Sequence, residues 1–422
     1  MNGYLRSKDL DLFANYLSFC LLAASAVIAN IVIASSWDVA TLGVFNQVVG
    51  VFIVISQLSV FGQQNAMLHQ GAQLADEPDE LGASIACALF LSVLASIVAA
   101  LLIFVLSEPI AALLGSPDVG IGLRLIAPAM VFNAFVKVVM QTLNGIGRVR
   151  LFAVLQATRP ALILVGLASA AFLKQPGYQL PFFVTLAEAG TMLVAAVLLM
   201  SACRVRAKLA HVVSRLPFMT AFGLRSFPAG LLGELNTRVD YFVLGIFASD
   251  TIVGVYSFAA AFAEGFFMAI VVVRVVVTPR LARVLKSKDE SALMSFISSW
   301  KWRAGLAGAS LLVISTLVYG MGLIFLLGAS PLKDSMLYYC ILALGVALAS
   351  PYIPFGNILL LEGRPGIHSL YYCGLVLLNL AGNFALTPPF GATGTAAATA
   401  LTYVASASWL AIICRRALGL RL

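Results

Sequence analysis

Runs of predominantly apolar residues recur along almost the whole chain, and each run is about as long as a lipid bilayer is thick. A helix of about 20 apolar residues crosses a hydrocarbon core of roughly 30 Å, and about twelve such runs can be placed here. Hydrophobic residues make up 61% of the chain and charged residues 10%, whereas soluble domains contain about 25% charged residues. The sequence therefore predicts an all-α polytopic membrane protein with little soluble structure.

The predicted transmembrane spans cover the chain at short intervals. They are residues 12–34, 40–62, 83–106, 123–144, 153–173, 180–202, 221–248, 251–277, 303–327, 334–359, 367–387 and 391–413. The first run is longer than the apolar region of a signal peptide, and no convincing small-residue cleavage site follows it. We therefore expect the first span to be retained as a helix.

Basic residues are distributed unevenly over the predicted loops. If the N-terminus is inside, the loops on the other side contain only Lys174 and Lys333, and nearly all other loop Lys and Arg residues are inside. Because cytoplasmic loops retain Lys and Arg, both termini and the loop from Thr278 to Trp302 are predicted to be cytoplasmic. The net charge of +8 is then mostly a collar beside anionic lipid headgroups, and no nucleic-acid partner is expected.

Short motifs recur about half a chain apart and in the same order. DVATLGVF at Asp38 to Phe45 recurs as DTIVGVY at Asp250 to Tyr256, Asp79-Glu80 recurs as Asp289-Glu290, and Gly147-Arg148 recurs as Gly363-Arg364. Each match is short, and ordinary loop composition is the alternative explanation. Because six spans separate the copies, we predict two parallel-repeat six-helix lobes, residues 1–210 and 211–422, around a central cavity.

Charged residues interrupt the seventh predicted span. A charged group at the centre of a membrane helix costs roughly 2.5–3.5 kcal/mol even on a mild insertion scale, yet Glu234, Arg238 and Asp240 lie within seven residues. On one continuous helix Glu234 and Arg238 share a face, while Asp240 lies close to the direction of Arg225. Two opposed charged faces predict contact with protein or water, and a purely structural Glu234–Arg238 pair is the alternative to a functional role.

Other charged residues lie in or near the ends of the predicted spans. Lys137, Glu188 and Glu264 are near the middle of the fourth, sixth and eighth spans, and Arg159 is nearer the end of the fifth. The candidate substrate-binding residues are Arg238, Arg225, Lys137, Arg159 and Asn236, and the candidates for ion coupling or structural pairing are Glu234, Asp240, Glu188 and Glu264. The scattered cysteines and histidines have no metal-ligand spacing, so neither a metal nor a cofactor is expected.

Three stretches of the sequence resemble a known family. RVDYFVLGIFASDTIVGVYSFAAAFAE, LNGIGRVRLFAVLQ and LNLAGNFALTPPFGATGTAAATALTYV are similar to the oligosaccharide flippase branch of the multidrug/oligosaccharidyl-lipid/polysaccharide exporter superfamily. The resemblance implies twelve helices in two lobes around a cavity, and transfer of a polyprenyl-pyrophosphate-linked oligosaccharide to the outer leaflet by alternating access. In that family basic cavity residues are held to meet the anionic headgroup. Arg238 and Asp240 match the RVD motif by position, whereas Lys137 and Arg225 are inferred from placement alone.

The predicted function is therefore a flippase for surface polysaccharide biosynthesis in the bacterial cytoplasmic membrane. Its expected partners are the lipid-linked oligosaccharide and membrane lipids, with a polysaccharide polymerase as a further candidate. An organic-cation antiporter of the same superfamily is the alternative, although a mildly basic interior argues against it. A membrane-embedded polymerase or glycosyltransferase is less expected, because the sequence contains no metal cluster, nucleotide cradle or nucleophile motif. The run GATGTAAATA is predicted to be a small-residue helix-packing stretch.

Overall fold

Helices follow one another through the chain with few connecting residues. The structure is a computed structural model that describes residue 21 and residues 24–203, 209–287, 289–327 and 331–420, and this part of the chain contains no strand. Eight of its helices are long and apolar enough to cross a membrane, or nine if one bent pair counts as a single span. The start of the first predicted span lies outside the described residues.

The first of two compact units comprises Met1–Glu234. Its helices are α1 (Ala24–Ser36), α2 (Val39–Val60), α3 (Gln63–Gln73), α4 (Pro78–Leu113), α5 (Pro117–Ile126), α6 (Ala129–Gly145), α7 (Val149–Phe172), α8 (Leu180–Ala202) and all but the end of α9 (Leu209–Asn236). Helix α6 packs against α2, α3, α4, α7 and α8. It is therefore the central helix of this N-terminal unit.

The second unit comprises Leu235–Leu422. Its helices are α10 (Val239–Phe247), α11 (Asp250–Ser287), α12 (Glu290–Leu327), α13 (Ser335–Ala349), α14 (Ile358–Leu361) and α15 (Pro365–Ile413). Helix α15 packs against α10 and α13, and α13 packs against α11 and α12. By its contacts α9 belongs mainly to the N-terminal unit, although the predicted lobe boundary at residue 210 places it in the second lobe. The division into six-helix lobes stays a prediction.

Helix α15 is two helices folded back on each other. Gly391 has φ 57° and ψ −141°, a non-helical conformation that L side chains rarely adopt. On either side of it the Thr387 and Thr395 hydroxyls are 2.9 Å apart, and a Cβ on Gly382 would lie 3.5 Å from the Cβ of Ala398. The two halves are therefore antiparallel, which confirms the last two predicted spans as separate helices.

Small residues allow the second half of α15 to approach its neighbours closely. A Cβ added to Gly345 of α13 would lie 2.7 Å from the Cα of Ala400, so only glycine fits at this crossing. Ala400 ends the GATGTAAATA run. The run therefore packs helices together, as predicted from its composition.

The repeated acidic motifs lie at or next to helix starts. Asp38 caps α2 by accepting a hydrogen bond of 2.6 Å from a backbone N–H of the first turn, and its counterpart Asp250 is the first residue of α11. Asp289 precedes α12 and accepts a hydrogen bond of 3.0 Å from the Ala292 N–H. This bond and one from the Ser291 hydroxyl hold the pKa of Asp289 below its ordinary value. Such caps satisfy N–H groups that lack partners within the helix.

The repeated Gly-Arg motifs also precede helices. Gly147 and Gly363 have φ values of 75° and 69°, and this left-handed conformation favours glycine. Arg148 and Arg364 then precede α7 and α15. The motif pairs thus lie at or next to helix starts in both halves of the chain, and the internal repeat stays a prediction.

Two predicted spans are interrupted. In the fourth, α5 and α6 meet at an angle of 52° around Pro128, because proline has no N–H and clashes with the preceding turn. In the seventh, α9 ends at Asn236 and α10 begins at Val239. The Asn236 carbonyl there accepts a hydrogen bond of 2.9 Å from the Asn379 side chain. This bond satisfies a carbonyl oxygen that the helix end leaves without an intrahelical N–H.

The segment from Thr278 to Trp302 is largely helical, although it was predicted to be a loop. Helix α11 continues to Ser287 and α12 begins at Glu290, and each has 38 residues, or roughly 57 Å at 1.5 Å per residue. The two helices thus extend well past a core of roughly 30 Å. Leu281 and Leu293 belong to one buried apolar cluster in this extension, so packing keeps a basic segment helical.

Candidate functional site

A buried carboxylate anchors a polar cluster in the N-terminal unit. Glu188 of α8 is fully buried, and its Oε1 accepts hydrogen bonds from Arg159 Nε at 2.5 Å and Asn133 Nδ2 at 3.2 Å. Its Oε2 is buried and has no hydrogen-bond partner among the described residues. Glu188 and Arg159 therefore form an ion pair that leaves one carboxylate oxygen open to a further donor or cation.

Lys137 of α6 belongs to the same cluster. Its Nζ donates a hydrogen bond of 2.8 Å to the Ser56 hydroxyl of α2. Glu234, Arg159 and Glu188 act on it electrostatically, but within the described ranges it forms no ion pair. Because an ammonium carries three donors, Lys137 retains donor capacity for an acceptor from outside the protein.

Glu234 joins this cluster through α2. Its Oε1 accepts a hydrogen bond of 3.3 Å from Gln57, and a Cβ on Gly230, one turn earlier in α9, would lie 3.0 Å from Gln57 Oε1. These contacts define the face of α9 that packs on α2. The structure therefore brings together four of the predicted residues, Lys137, Arg159, Glu188 and Glu234.

Arg225 lies on another face of α9. It is exposed, and at about 100° per residue it is roughly 140° from Gly230. It lines a shallow depression of about 290 Å³ with Phe218, Ala221, Phe222 and Ser226. Arg225 is therefore not part of the cluster around Lys137.

The C-terminal unit carries a second charged cluster, around Arg238. The Arg238 Nη1 lies 3.3 Å from Glu264 Oε1 of α11, and the guanidinium carbon lies 5.3 Å from the centre of the Tyr241 ring. The ion pair and the cation–π contact both fix the guanidinium. Arg238 is thus held in place by two neighbours in its own unit.

Asp240 is buried beside this ion pair. Its Oδ2 accepts a hydrogen bond of 2.7 Å from the Tyr256 hydroxyl, and its Oδ1 accepts one of 3.0 Å from the Tyr241 N–H. It lies in the first turn of α10, where the helix dipole favours negative charge. These contacts brace the start of α10.

The asparagine of the predicted site belongs to a hydrogen-bonded series. Asn236 Oδ1 accepts from Asn379 Nδ2 at 3.3 Å, and Asn379 Oδ1 accepts from Asn383 Nδ2 at 2.9 Å. Asn379 and Asn383 are buried. Asn236 therefore tethers the end of α9 to α15 inside the C-terminal unit.

The interpretation of the seventh span as one continuous charged helix is wrong. Arg238 has φ −127° and ψ −4° and precedes α10, whereas Glu234 lies in α9. They do not share a helix face, and neither do Arg225 and Asp240. Arg238 forms an ion pair with Glu264, from the eighth predicted span.

Sequence reasoning missed several of the groups that complete these clusters. Ser56, Gln57 and Asn379 each meet a predicted residue through a contact distant in sequence. One signal was present, since Tyr256 ends the repeated DTIVGVY motif and donates to Asp240. Among the described residues no group of three or more His, Cys, Asp or Glu is placed to hold a metal ion.

Residues 43–299 match the family model described as "Polysaccharide biosynthesis protein". The chain belongs to this family. The match covers both charged clusters in large part, including Lys137, Glu188, Arg238 and Glu264. No curated protein matches the sequence significantly.

Solved structures share the fold at low sequence identity. An inward-facing multidrug resistance MATE family transporter of the MOP superfamily has a TM-score of 0.80 at 13% identity, covering 94% of both chains. Lipid II flippase MurJ, inward closed, has a TM-score of 0.77 at 15% identity, covering 98% of this chain and 88% of its own. A MOP superfamily transporter from Pyrococcus furiosus with a pocket of reverse polarity has a TM-score of 0.64 at 12% identity, covering 97% and 95%.

These likenesses confirm the predicted fold class. At such identities they show a common fold, and they leave the cargo of this chain open. The protein is therefore a multi-pass membrane protein with the fold of MOP-superfamily transporters.

Proposed function

We propose that the protein is a flippase for surface polysaccharide biosynthesis. Its cargo is a polyprenyl-pyrophosphate-linked oligosaccharide, moved from the cytoplasmic to the outer leaflet of the bacterial cytoplasmic membrane by alternating access between two six-helix lobes. Both termini are cytoplasmic, no bond of the cargo is broken, and a polysaccharide polymerase is a candidate partner. Membership of the polysaccharide biosynthesis family supports this choice of cargo.

The environment of Lys137 is the observation that best supports the proposal. It lies in a membrane helix, its described hydrogen-bond partner is the neutral Ser56 hydroxyl, and the cost of placing a charge there is not offset by a direct ion pair with any residue that the structure describes. A pyrophosphate offers several acceptor oxygens to an ammonium group. We therefore assign Lys137 to the anionic headgroup, with Arg159, Arg225, Arg238 and Asn236 as further candidate contacts.

The membrane potential favours the proposed direction. Moving one elementary charge through 100 mV is worth about 2.3 kcal/mol. The free energy of a pyrophosphate with about two negative charges thus falls by roughly 5 kcal/mol when it leaves a negative cytoplasm. Ion coupling remains a further proposal, and Glu188 is its best candidate because its Oε2 is buried without a described partner.

Export by matched variants tests the headgroup role. Lys137→Gln is compared with Arg124→Gln, because Arg124 pairs with Glu108 at a largely exposed position. The readout is surface polysaccharide in a strain lacking the native gene, normalised to membrane-inserted protein. We expect Lys137→Gln to lower export on the order of tenfold, as a hydrogen bond to a charged group contributes about 1.5 kcal/mol or more, and Arg124→Gln to export normally. Equal export by the two variants would contradict the role of Lys137.

An organic-cation antiporter is the second candidate, and the buried carboxylates favour it. Asp240 and Glu188 are both buried, and such groups attract cations in a medium of low polarity. Accumulation of a fluorescent organic cation in cells with and without the protein separates the two functions. The flippase proposal predicts equal accumulation, whereas protein-dependent extrusion together with unchanged surface polysaccharide would establish the antiporter.

A further inference from the structure

Two arginines converge on one tryptophan in the extension of α11 and α12. The guanidinium carbons of Arg280 and Arg303 lie 5.8 and 5.3 Å from the centre of the Trp300 ring, within the range of cation–π attraction. Both arginines are exposed. Neither forms a hydrogen bond or an ion pair with another residue in the described ranges. Two like charges thus lie within about 6 Å of the same ring centre without a described counter-ion.

The arginines lie where the exposed surface of the C-terminal unit changes from apolar to basic. The large exposed apolar residues of α12 from Leu306 onward are Leu306, Val313, Ile314, Leu317, Val318, Met321 and Ile324. This row is roughly 27 Å long at 1.5 Å per residue, close to the thickness of a hydrocarbon core. One turn before it Trp302 is 69% exposed, as expected of a tryptophan at the headgroup level.

Helix α11 shows the same change at the same level. Val275 and Val276 are exposed apolar residues, and Arg280 follows one turn later. The two helices therefore place the Arg280, Trp300 and Arg303 group at the membrane–water interface, with apolar surface on one side and water on the other.

We propose that Arg280, Trp300 and Arg303 bind the phosphate of an anionic phospholipid. A guanidinium group can donate two parallel hydrogen bonds to phosphate oxygens. The exposed apolar residues of α12 from Leu306 to Ile324, with Val275 and Val276 of α11, accommodate the acyl chains. A zwitterionic lipid would bring its own cation beside two arginines, so the site selects lipids with net negative charge. This lipid is not the cargo, because the site is on the exposed surface of one unit and contains neither Lys137 nor Arg238.

The experiment measures which lipid lies beside the tryptophans. The chain has four, so the contribution of the Arg280, Trp300 and Arg303 group is the part of the lipid preference that the site variant loses. The full-length protein is reconstituted in phosphatidylcholine vesicles that contain a minority of phosphatidylglycerol, with brominated acyl chains on one lipid or the other. Bromine quenches tryptophan fluorescence on contact, so the quenching ratio reports the local enrichment of the anionic lipid. Arg280→Gln/Arg303→Gln removes the site. Arg283→Gln/Lys286→Gln is the matched control, since both residues are exposed in the same extension and neither is placed against Trp300 by a described contact.

We expect the wild-type protein to be quenched preferentially by brominated phosphatidylglycerol, and less so at high salt. One basic residue near an anionic surface contributes about 1 kcal/mol, or roughly fivefold. The site variant should therefore lower the preference on the order of tenfold, while the control stays within about twofold.

Equal quenching of the wild-type protein by the two brominated lipids would overturn the proposal. It would indicate instead that the two arginines bind an acidic protein partner. The proposal would also be overturned if the control variant lost the preference as strongly as the site variant. The wild-type comparison needs no substitution, so equal quenching would overturn the proposal even if a variant failed to accumulate.

Discussion

Variants of the Arg238–Glu264 ion pair can distinguish a structural role of Arg238 from a role in cargo binding. Exchanging the two charges, Arg238→Glu with Glu264→Arg, keeps their mutual attraction and moves the guanidinium to the other helix. A purely structural pair tolerates the exchange. A guanidinium that also meets the headgroup does not, because its position relative to the cargo changes.

The structure sets the size of the expected effects. At 3.3 Å the gross attraction of two unit charges is about 5 kcal/mol for an effective dielectric constant of roughly 20. The Arg238 and Glu264 side chains are 19% and 35% exposed, so water screens part of this attraction. We expect Arg238→Gln or Glu264→Gln alone to cost about 2–3 kcal/mol of unfolding free energy, below the 3–5 kcal/mol of a fully buried pair. The exchange should recover all but about 1 kcal/mol, the part contributed by the cation–π contact with Tyr241.

Two assays are needed, because stability and export diverge under the headgroup proposal. Thermal denaturation of the purified protein should rank the exchanged variant close to wild type and above both single variants. Surface polysaccharide, normalised to membrane protein, should nevertheless be largely lost in the exchanged variant. Arg238→Lys should export partly, since lysine lacks the bidentate fork. An exchanged protein that exports near the wild-type level would refute the headgroup role of Arg238.

Three further predictions concern topology, the backbone and the buried carboxylate of α10. Ser287→Cys in a cysteine-free background should resist an impermeant reagent added outside intact cells, and labelling would reverse the proposed orientation. Gly62→Ala should destabilise the protein by about 3 kcal/mol or more, because φ is 68° and the new Cβ would lie 2.6 Å from the Gly223 carbonyl oxygen. Gly115→Ala, with φ 60° and open space around it, should cost only about 1–2 kcal/mol in the same thermal unfolding assay. Tyr256→Phe should cost about 1.5–3 kcal/mol by removing a hydrogen bond to Asp240, whereas an unchanged melting temperature would show that this bond contributes nothing.

The spans were predictable because the thickness of the bilayer fixes the length of each apolar run. The helix starts at Asp38, Asp250 and Gly363 were also readable, since capping and left-handed turns depend on residues close in sequence. The break after Asn236 could not be predicted from neighbouring residues in this way. It involves a side chain of α15, Asn379, which is 143 residues away, and no local pattern reports that contact.

The candidate site was predictable in part for the same reason. Lys137 and Glu188 stand out as charges in apolar runs, because such placements are costly. Their partners Ser56 and Asn133 are ordinary polar residues of other helices, and only the packing of the helices shows which of many such residues they meet. A structural Glu234–Arg238 pair was the alternative suggested by their spacing on one helix, and the break between α9 and α10 removes that helical spacing.

The single-residue turn at Gly391 has a consequence for how the protein is made. A nascent span normally has a polar connection behind it that lets it settle in the bilayer before the next one is synthesised. The two halves of α15 have no such connection, since Thr387 and Thr395 already touch across the turn. We therefore expect the two halves to enter the membrane together as one hairpin, and in a chain that stops before Gly391 the Thr387 hydroxyl lacks its partner on Thr395.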